Sequence, residues 1–231
     1  MIDWKEMLTL ASSALVLGYI IAFTTFTEFN LKSWFIWFLL GLLILTVNTV
    51  GRKLTALFYD ADAKISHWHI KRYGFWKWMY FKKLFPIWFI LPVFLIWITD
   101  GFISWLAIIT FEASPLKSRA RRKFSEVTEW DLALIAIGGL LLNAVLAFVS
   151  YLLGFGDFAK INLMFILFNL IPISNLDGAK VLFGSRFLGV FAVIFALAML
   201  ILLDLTGAVP ALLLAIIIGI VAVFLYYYLK L

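Results

Sequence analysis

The chain contains no cysteine, only two histidines and few charges: 14% of its 231 residues are Asp, Glu, Lys or Arg. The absence of cysteine excludes disulfide bonds, thiolate metal sites and a cysteine nucleophile. A soluble domain is about half apolar and a quarter charged, whereas this chain is 65% hydrophobic with a mean hydropathy of +1.07. The composition therefore predicts a polytopic membrane protein, and the ten Trp and 24 Phe suit membrane cores and interfacial belts.

The apolar segments predict an all-α polytopic membrane protein, with a single transmembrane domain over residues 1–231. Most of these segments approach the ~20 residues that a membrane-spanning helix requires. Residues 84–111 are apolar but carry two prolines and an Asp-Gly pair, which favours a re-entrant hairpin or short strands between spans two and three. The six expected transmembrane helices cover residues 8–26, 34–51, 131–153, a helix beginning near 161 and ending in the stretch 169–178, 188–206 and 209–229.

Charge gives the expected orientation. Segments 52–83 and 112–130 are both strongly basic, so we expect both to be cytoplasmic. Six spans with a hairpin at 84–111 then place both termini in the cytoplasm, and only Lys32 and Lys160 outside. The expected location is the plasma membrane. This orientation puts Arg52 and Asp177 at similar depth, because each follows the inner end of its span.

The most informative stretch is Asn169-Leu170-Ile171-Pro172-Ile173-Ser174-Asn175-Leu176-Asp177-Gly178. It ends a hydrophobic helix, and Pro172 removes one backbone N–H from that helix. A carboxylate this close to hydrocarbon must be paired, protonated or bound to a metal. The simpler interpretation is a turn at the membrane surface.

These residues carry a family resemblance. Asn169-x-x-Pro172-x-x-x-Leu176-Asp177-Gly178 is similar to the second signature of the site-2 proteases, a family of intramembrane zinc metalloproteases. Gly139-Leu140-x-x-Asn143 resembles the family's Gly-Pro-x-x-Asn, although Leu140 departs from it. The resemblance extends over residues 34–185, and implies a protease-like core. It also implies that Asp177 is the third zinc ligand, and that Asn143, Asn169 and Pro172 help to bind a substrate or partner segment.

The family's first signature, His-Glu-x-x-His, is absent. The corresponding residues are Asn48-Thr49-Val50-Gly51-Arg52. Histidines four residues apart bind zinc from one helix face, and the glutamate takes a proton from the metal-bound water. Asn48 is a poor zinc ligand, Thr49 is no general base near neutral pH, and Arg52 is a permanent cation. No catalytic residue is intact, so we predict no bound cofactor and favour the absence of proteolytic activity.

Arg52 offers a replacement for the metal. We predict a structural ion pair between Arg52 and Asp177, with further hydrogen bonds from Asn48, since each charge alone is costly at this depth. In the alternative arrangement, Arg52 snorkels to lipid headgroups and Asp177 faces water.

The sequence thus favours a site-2-protease-like pseudoprotease that binds membrane segments or partner proteins within the lipid bilayer. An alternative is an active zinc metalloprotease with unusual ligands drawn from Asp177, His67 and His69. A third is a transporter or channel, because the break at Pro172 resembles the discontinuous helices of transporters. A purely structural scaffold stays open. No nucleic-acid-binding module is present in the sequence.

Overall fold

The computed structural model describes residues 3–25, 31–72, 76, 79–118 and 126–230. Parts of the two predicted basic segments, 73–75, 77–78 and 119–125, lie outside the described residues. The described chain is mostly helical, which confirms the expected helical membrane class. In chain order its elements are α1 (Trp4–Thr25), α2 (Leu31–Phe58), β1 (Ala61–His67), β2 (Ile70–Arg72), β3 (Tyr80–Phe85), α3 (Ile87–Ile98), β4 (Ile109–Pro115), α4 (Glu129–Leu152), α5 (Gly156–Asn169), α6 (Asp177–Gly184), α7 (Arg186–Thr206) and α8 (Ala208–Lys230).

Five of the described helices, α1, α2, α4, α7 and α8, are long and apolar enough to cross a membrane. The chain is therefore an integral membrane protein. Helix α5 has only 14 residues, or about 21 Å at 1.5 Å per residue, less than a hydrocarbon core of about 30 Å. Helix length alone therefore supports five membrane spans. A sixth span would have to be formed by the shorter helix α5.

Helix α2 is longer than the span predicted at 34–51, because it continues without interruption to Phe58. Its last turns contain Arg52, Lys53 and Thr55, which are polar but have helix propensities compatible with continuation. Arg52 therefore lies within a helix, one turn after Asn48, rather than at the point where a helix ends.

The described chain forms two compact units. Unit 1 contains residues 1–46 and 64–112, and unit 2 contains residues 47–63 and 113–231. In unit 1, Gly18 lets α1 approach the backbone of α2, since a Cβ at that glycine would lie 2.7 Å from Phe38 N. The Glu6 carboxylate accepts a 2.9 Å hydrogen bond from Ile65 N, which ties the start of α1 to β1.

The predicted hairpin region, 84–111, contains a 12-residue helix and a returning strand. Helix α3 follows Pro86 and includes Pro92. It ends at a turn in which Asp100 and Gly101 both have positive φ, 48° and 82°. Asp and Gly are the residues that tolerate this conformation best. Strand β4 pairs with β1, and β2 pairs antiparallel with β3.

Unit 2 is built on α4. A capping box begins this helix: Asp131 N donates to the Thr128 hydroxyl and Thr128 N donates to the Asp131 carboxylate. Its apolar core combines leucine and isoleucine from α4 and α5 with small residues from α7 and α8, which allow close helix packing. The fully buried members include Leu163, Ala196, Leu203, Ala211 and Ala215.

Candidate functional site: a buried ion pair among amide side chains

The break after α5 positions Asp177. Helix α5 ends at Asn169, three residues before Pro172, and the chain passes through Ser174 at a φ of 55° before α6 begins. Asp177 is the first residue of α6 and is fully buried. Gly178 packs against the carbonyl of Leu170, where any added Cβ would overlap backbone atoms. The glycine therefore lets the start of α6 fold back against the end of α5.

The other half of the site comes from the contact between α2 and α4, where backbones touch. A Cβ on Gly51 would lie 2.5 Å from Gly138 O. A Cβ on Gly139 would lie 2.7 Å from Arg52 Cγ and 2.9 Å from Asn48 O. Glycine at these positions removes the side chains that would separate the helices. The stem of Arg52 consequently passes directly over the α4 backbone.

The structure brings Arg52 and Asp177 together. Arg52 Nη2 donates a 2.5 Å hydrogen bond to Asp177 Oδ2, and both side chains have 0% exposure. Charge-assisted hydrogen bonds of this kind are about twice as strong as neutral ones. The N-terminus of α6 also favours a negative charge at Asp177. Both side chains are fully buried, so the alternative arrangement, in which Arg52 snorkels to lipid headgroups and Asp177 faces water, is wrong.

Four asparagines and a threonine of unit 2 are completely buried: Asn48, Thr49, Asn143, Asn162 and Asn169. Asn169 Nδ2 donates to Phe165 O at 2.8 Å. Within the described residues, the Asn169 carbonyl oxygen and both amide atoms of the other three asparagines have no hydrogen-bond partner. Asp177 Oδ1 also has none among these residues. Buried polar groups are normally satisfied, so the interior of unit 2 holds unused hydrogen-bonding capacity.

Asn48 lies at the contact with Gly139, since its Nδ2 would be 3.0 Å from a Cβ there. Its amide makes no hydrogen bond within the described residues, so the prediction that Asn48 adds hydrogen bonds to the ion pair is wrong. Asn143 follows Gly139 by one helical turn and therefore faces the same side of α4. Pro172, by contrast, is exposed and does not belong to the buried group.

Asn162 was missed by sequence reasoning. It precedes Asn169 by seven residues, so both lie on one face of α5. That seven-residue spacing of two amides within α5 is the signal that would have identified it.

His67 and His69 lie in unit 1, whereas Asp177 lies in unit 2. The His67 ring stacks on Trp88 at 4.0 Å, and its Nε2 is 2.8 Å from the Ser12 hydroxyl. Burial, with a smaller contribution from His69, lowers the pKa of His67 to about 4. Among the residues that the structure describes, no three His, Cys, Asp or Glu side chains come together as a metal-binding group.

The fold and the candidate site together show the class of protein: it is an integral membrane protein whose helices bury an ion pair and several asparagine amides. No family model, curated protein or solved structure matches the chain.

Proposed function

We propose that this chain is a proteolytically inactive, site-2-protease-like membrane protein that binds transmembrane segments of other proteins. The observation that carries the proposal is the presence of buried amides without hydrogen-bond partners among the described residues, in the unit that also contains the Arg52–Asp177 pair. A membrane segment that unwinds exposes backbone N–H and C=O groups, and in hydrocarbon each of these needs a partner. An asparagine amide both donates and accepts, so Asn143 can pair with both kinds of group.

The two asparagines named by the resemblance have different capacities. Asn143 has its donor and its acceptor available, whereas Asn169 uses Nδ2 on Phe165 O and keeps only Oδ1. Asn143 therefore holds either an N–H or a C=O of a bound segment, and Asn169 holds an N–H.

Arg52 supports the inactive assignment. It occupies the position that the resemblance gives to a histidine ligand, and a guanidinium stays charged at any physiological pH. Its hydrogen bond to Asp177 Oδ2 puts a fixed positive charge beside the carboxylate, and that charge repels a metal cation. The pair thus stabilises the helices without zinc.

The proposal includes a membrane arrangement. Helix α5 is the sixth span, helix α3 and the strand after it form the re-entrant hairpin, and both termini face the cytoplasm from the plasma membrane. Support comes from the distribution of Lys and Arg along the chain, and from the 12-residue length of α3, about 18 Å.

Metal content tests the inactive assignment. Full-length protein, Asp177→Asn and the exposed-site control Asp204→Asn are purified and their zinc is measured by elemental analysis. We expect no bound zinc in any of the three. Near-stoichiometric zinc that is lost only in Asp177→Asn would overturn the assignment and favour the metalloprotease with ligands drawn from Asp177, His67 and His69.

Photocrosslinking tests the binding of segments. A photoreactive amino acid is placed at position 173, where the native isoleucine is 42% exposed, and at the 58% exposed position 152 as control. We expect position 173, but not 152, to form an adduct with an apolar segment of another membrane protein. The adduct should disappear when Asn143→Leu is added. An adduct that persists in Asn143→Leu, or one that maps to a soluble domain, would contradict the proposed role of the amides.

A further inference from the structure

The excess positive charge of the chain lies in one segment, residues 64–99. This segment contains six Lys and Arg residues and no Asp or Glu, so its formal net charge is +6 with His neutral, which equals the net charge of the entire chain. The other residues carry equal numbers of positive and negative charges. Attraction to an anionic partner is therefore concentrated in this segment of unit 1.

Strands β2 and β3 hold three lysines of this segment in a short antiparallel pair, here called the basic ribbon. The strands pair at both ends of β2, with an irregularity between the two pairs. Lys71 lies on β2 between these pairs, and Lys82 and Lys83 lie between them on β3. All three side chains are exposed, and none forms an ion pair with another described residue. Tyr80 and Leu84 on β3 are 47% and 61% exposed, and such a mixture of cationic, aromatic and apolar side chains is typical of a membrane–water interface.

Contacts within unit 1 give the position of helix α3, which follows the ribbon, along α1. His67 Nε2 lies 2.8 Å from the Ser12 hydroxyl of α1, and the His67 ring stacks at 4.0 Å on Trp88 in the first turn of α3. Beyond the end of α3, a Cβ on Gly101 would lie 3.2 Å from Phe23 Cδ1 near the end of α1. Helix α3 therefore runs beside α1 in the same direction, from the level of Ser12 to the level of Phe23.

Helix α3 is suited to hydrocarbon, whereas the ribbon before it is not. The helix has no charged residue, and its exposed side chains include Phe94 at 55% and Trp97 at 81%. Lysine ammonium groups are costly in hydrocarbon, so the lysines of the ribbon are expected at the headgroup level. Ser12 lies eight residues, or about 12 Å, after the start of α1. The five residues from Trp88 back to Lys83 extend up to about 16 Å, so the lysines can reach the membrane surface at which α1 begins.

We propose that Lys71, Lys82 and Lys83 of the basic ribbon bind the phosphate groups of anionic phospholipids in the leaflet where α1 begins. Each ammonium group offers a positive charge and three N–H donors, and an anionic leaflet attracts lysines that are clustered at its surface. Phosphatidylcholine binds more weakly, because its own cation offsets the phosphate. The inference rests on the proposed membrane arrangement, but it does not depend on the binding of membrane segments by Asn143 and Asn169.

Quenching by nitroxide-labelled lipid tests the ribbon in the full-length protein. Because the chain has no cysteine, Leu84→Cys gives one site for a fluorophore, next to Lys83. The labelled protein is reconstituted in phosphatidylcholine vesicles that contain either phosphatidylglycerol or phosphatidylcholine with a nitroxide near the headgroup. At equal fractions, we expect the phosphatidylglycerol to quench several-fold more strongly, and added salt to reduce this preference by screening. A fluorophore at Leu205→Cys, where the leucine of α7 is 73% exposed, should show no preference.

Substitutions separate the ribbon from the total charge of the protein. Replacement of all three ribbon lysines by glutamine should abolish the preference at position 84, whereas their replacement by arginine should retain it. The matched control Lys32→Gln/Lys117→Gln/Lys160→Gln removes the same total charge elsewhere and should leave the preference unchanged.

Equal quenching by the two lipids in the protein with its native lysines would overturn the proposal, as would a preference that persists in the glutamine variant. Absence of quenching by either lipid would also overturn it, and is the result expected if an acidic protein covers the ribbon. The comparison of lipids and the salt titration use the native lysines, so they decide the matter even where a variant fails to fold. Neither depends on zinc content or on crosslinking at position 173, so failure of this inference is distinguishable from failure of the proposed function.

Discussion

Replacement of Arg52 by methionine is the most direct test of the buried ion pair. Methionine keeps the unbranched apolar stem that passes over Gly139, but it removes the hydrogen bond to Asp177. The carboxylate is then left at 0% exposure without its cation. Breaking a buried pair by removing one partner costs about 3–5 kcal/mol, because the remaining charge stays desolvated.

This cost predicts a large shift in thermal stability. For a chain of 150–250 residues, 1 kcal/mol changes the Tm by about 2–4 °C, so Arg52→Met should lower it by roughly 6–20 °C. Unfolding of the purified protein in detergent can be followed by the intrinsic fluorescence of its ten tryptophans. The double variant Arg52→Met/Asp177→Leu replaces the pair by apolar groups and should recover most of the loss, with a coupling energy above about 2 kcal/mol.

An exposed ion pair in the same unit is the matched control. Lys160 Nζ lies 2.8 Å from Asp204 Oδ2, and these side chains are 36% and 53% exposed. Exposed pairs contribute about 0–1 kcal/mol, so Lys160→Met should lower the Tm by no more than about 4 °C. Equal shifts in Arg52→Met and Lys160→Met, or additive effects in the double variant, would refute the assignment of Arg52 and Asp177 as a stabilising buried pair.

Two further predictions concern other contacts. Gly139→Ala should destabilise the protein by about 1–3 kcal/mol through overpacking, because the added Cβ would lie 2.7 Å from Arg52 Cγ. Gly156→Ala is the control, since its added Cβ would lie 3.8 Å from the nearest atom. Equal Tm values for the two variants would contradict the close contact at Gly139. His67, whose folded pKa is about 4, should appear neutral by NMR at pH 5.5. Its contribution to stability is complete above the unfolded pKa of ~6.5 and is lost as pH falls towards 4. With solvent screening this loss should be about 1–2 kcal/mol; a His67 that titrates near 6.5 would exclude it.

The membrane class and the long helices could be predicted from the sequence because apolar length is a strong signal. Helices α4, α7 and α8 begin and end within two residues of the predicted spans. The pairing of Arg52 with Asp177 could also be predicted, because the expected orientation gives the two residues similar depth and each buried charge needs a partner.

Other features depend on contacts that no local pattern reports. Hydropathy does not predict that α2 continues to Phe58, because the last turns of this helix are polar and resemble a loop. Strand β1 pairs with β4, more than forty residues away, and pairing of this kind is set by tertiary contacts rather than by local propensity. The burial of Asn162 depends on which face of α5 packs inward, and this face is not evident from a helix that is apolar on most sides.

The ion pair also constrains how this protein can diverge. Any single substitution that removes the charge of Arg52 leaves the Asp177 carboxylate buried without a counter-ion, and any that removes the charge of Asp177 leaves the Arg52 guanidinium in the same state. Both intermediates lose stability, so the two positions can change only together or through a neutral step elsewhere. In related sequences, positions 52 and 177 should therefore covary as one unit, with opposite charges kept or both lost.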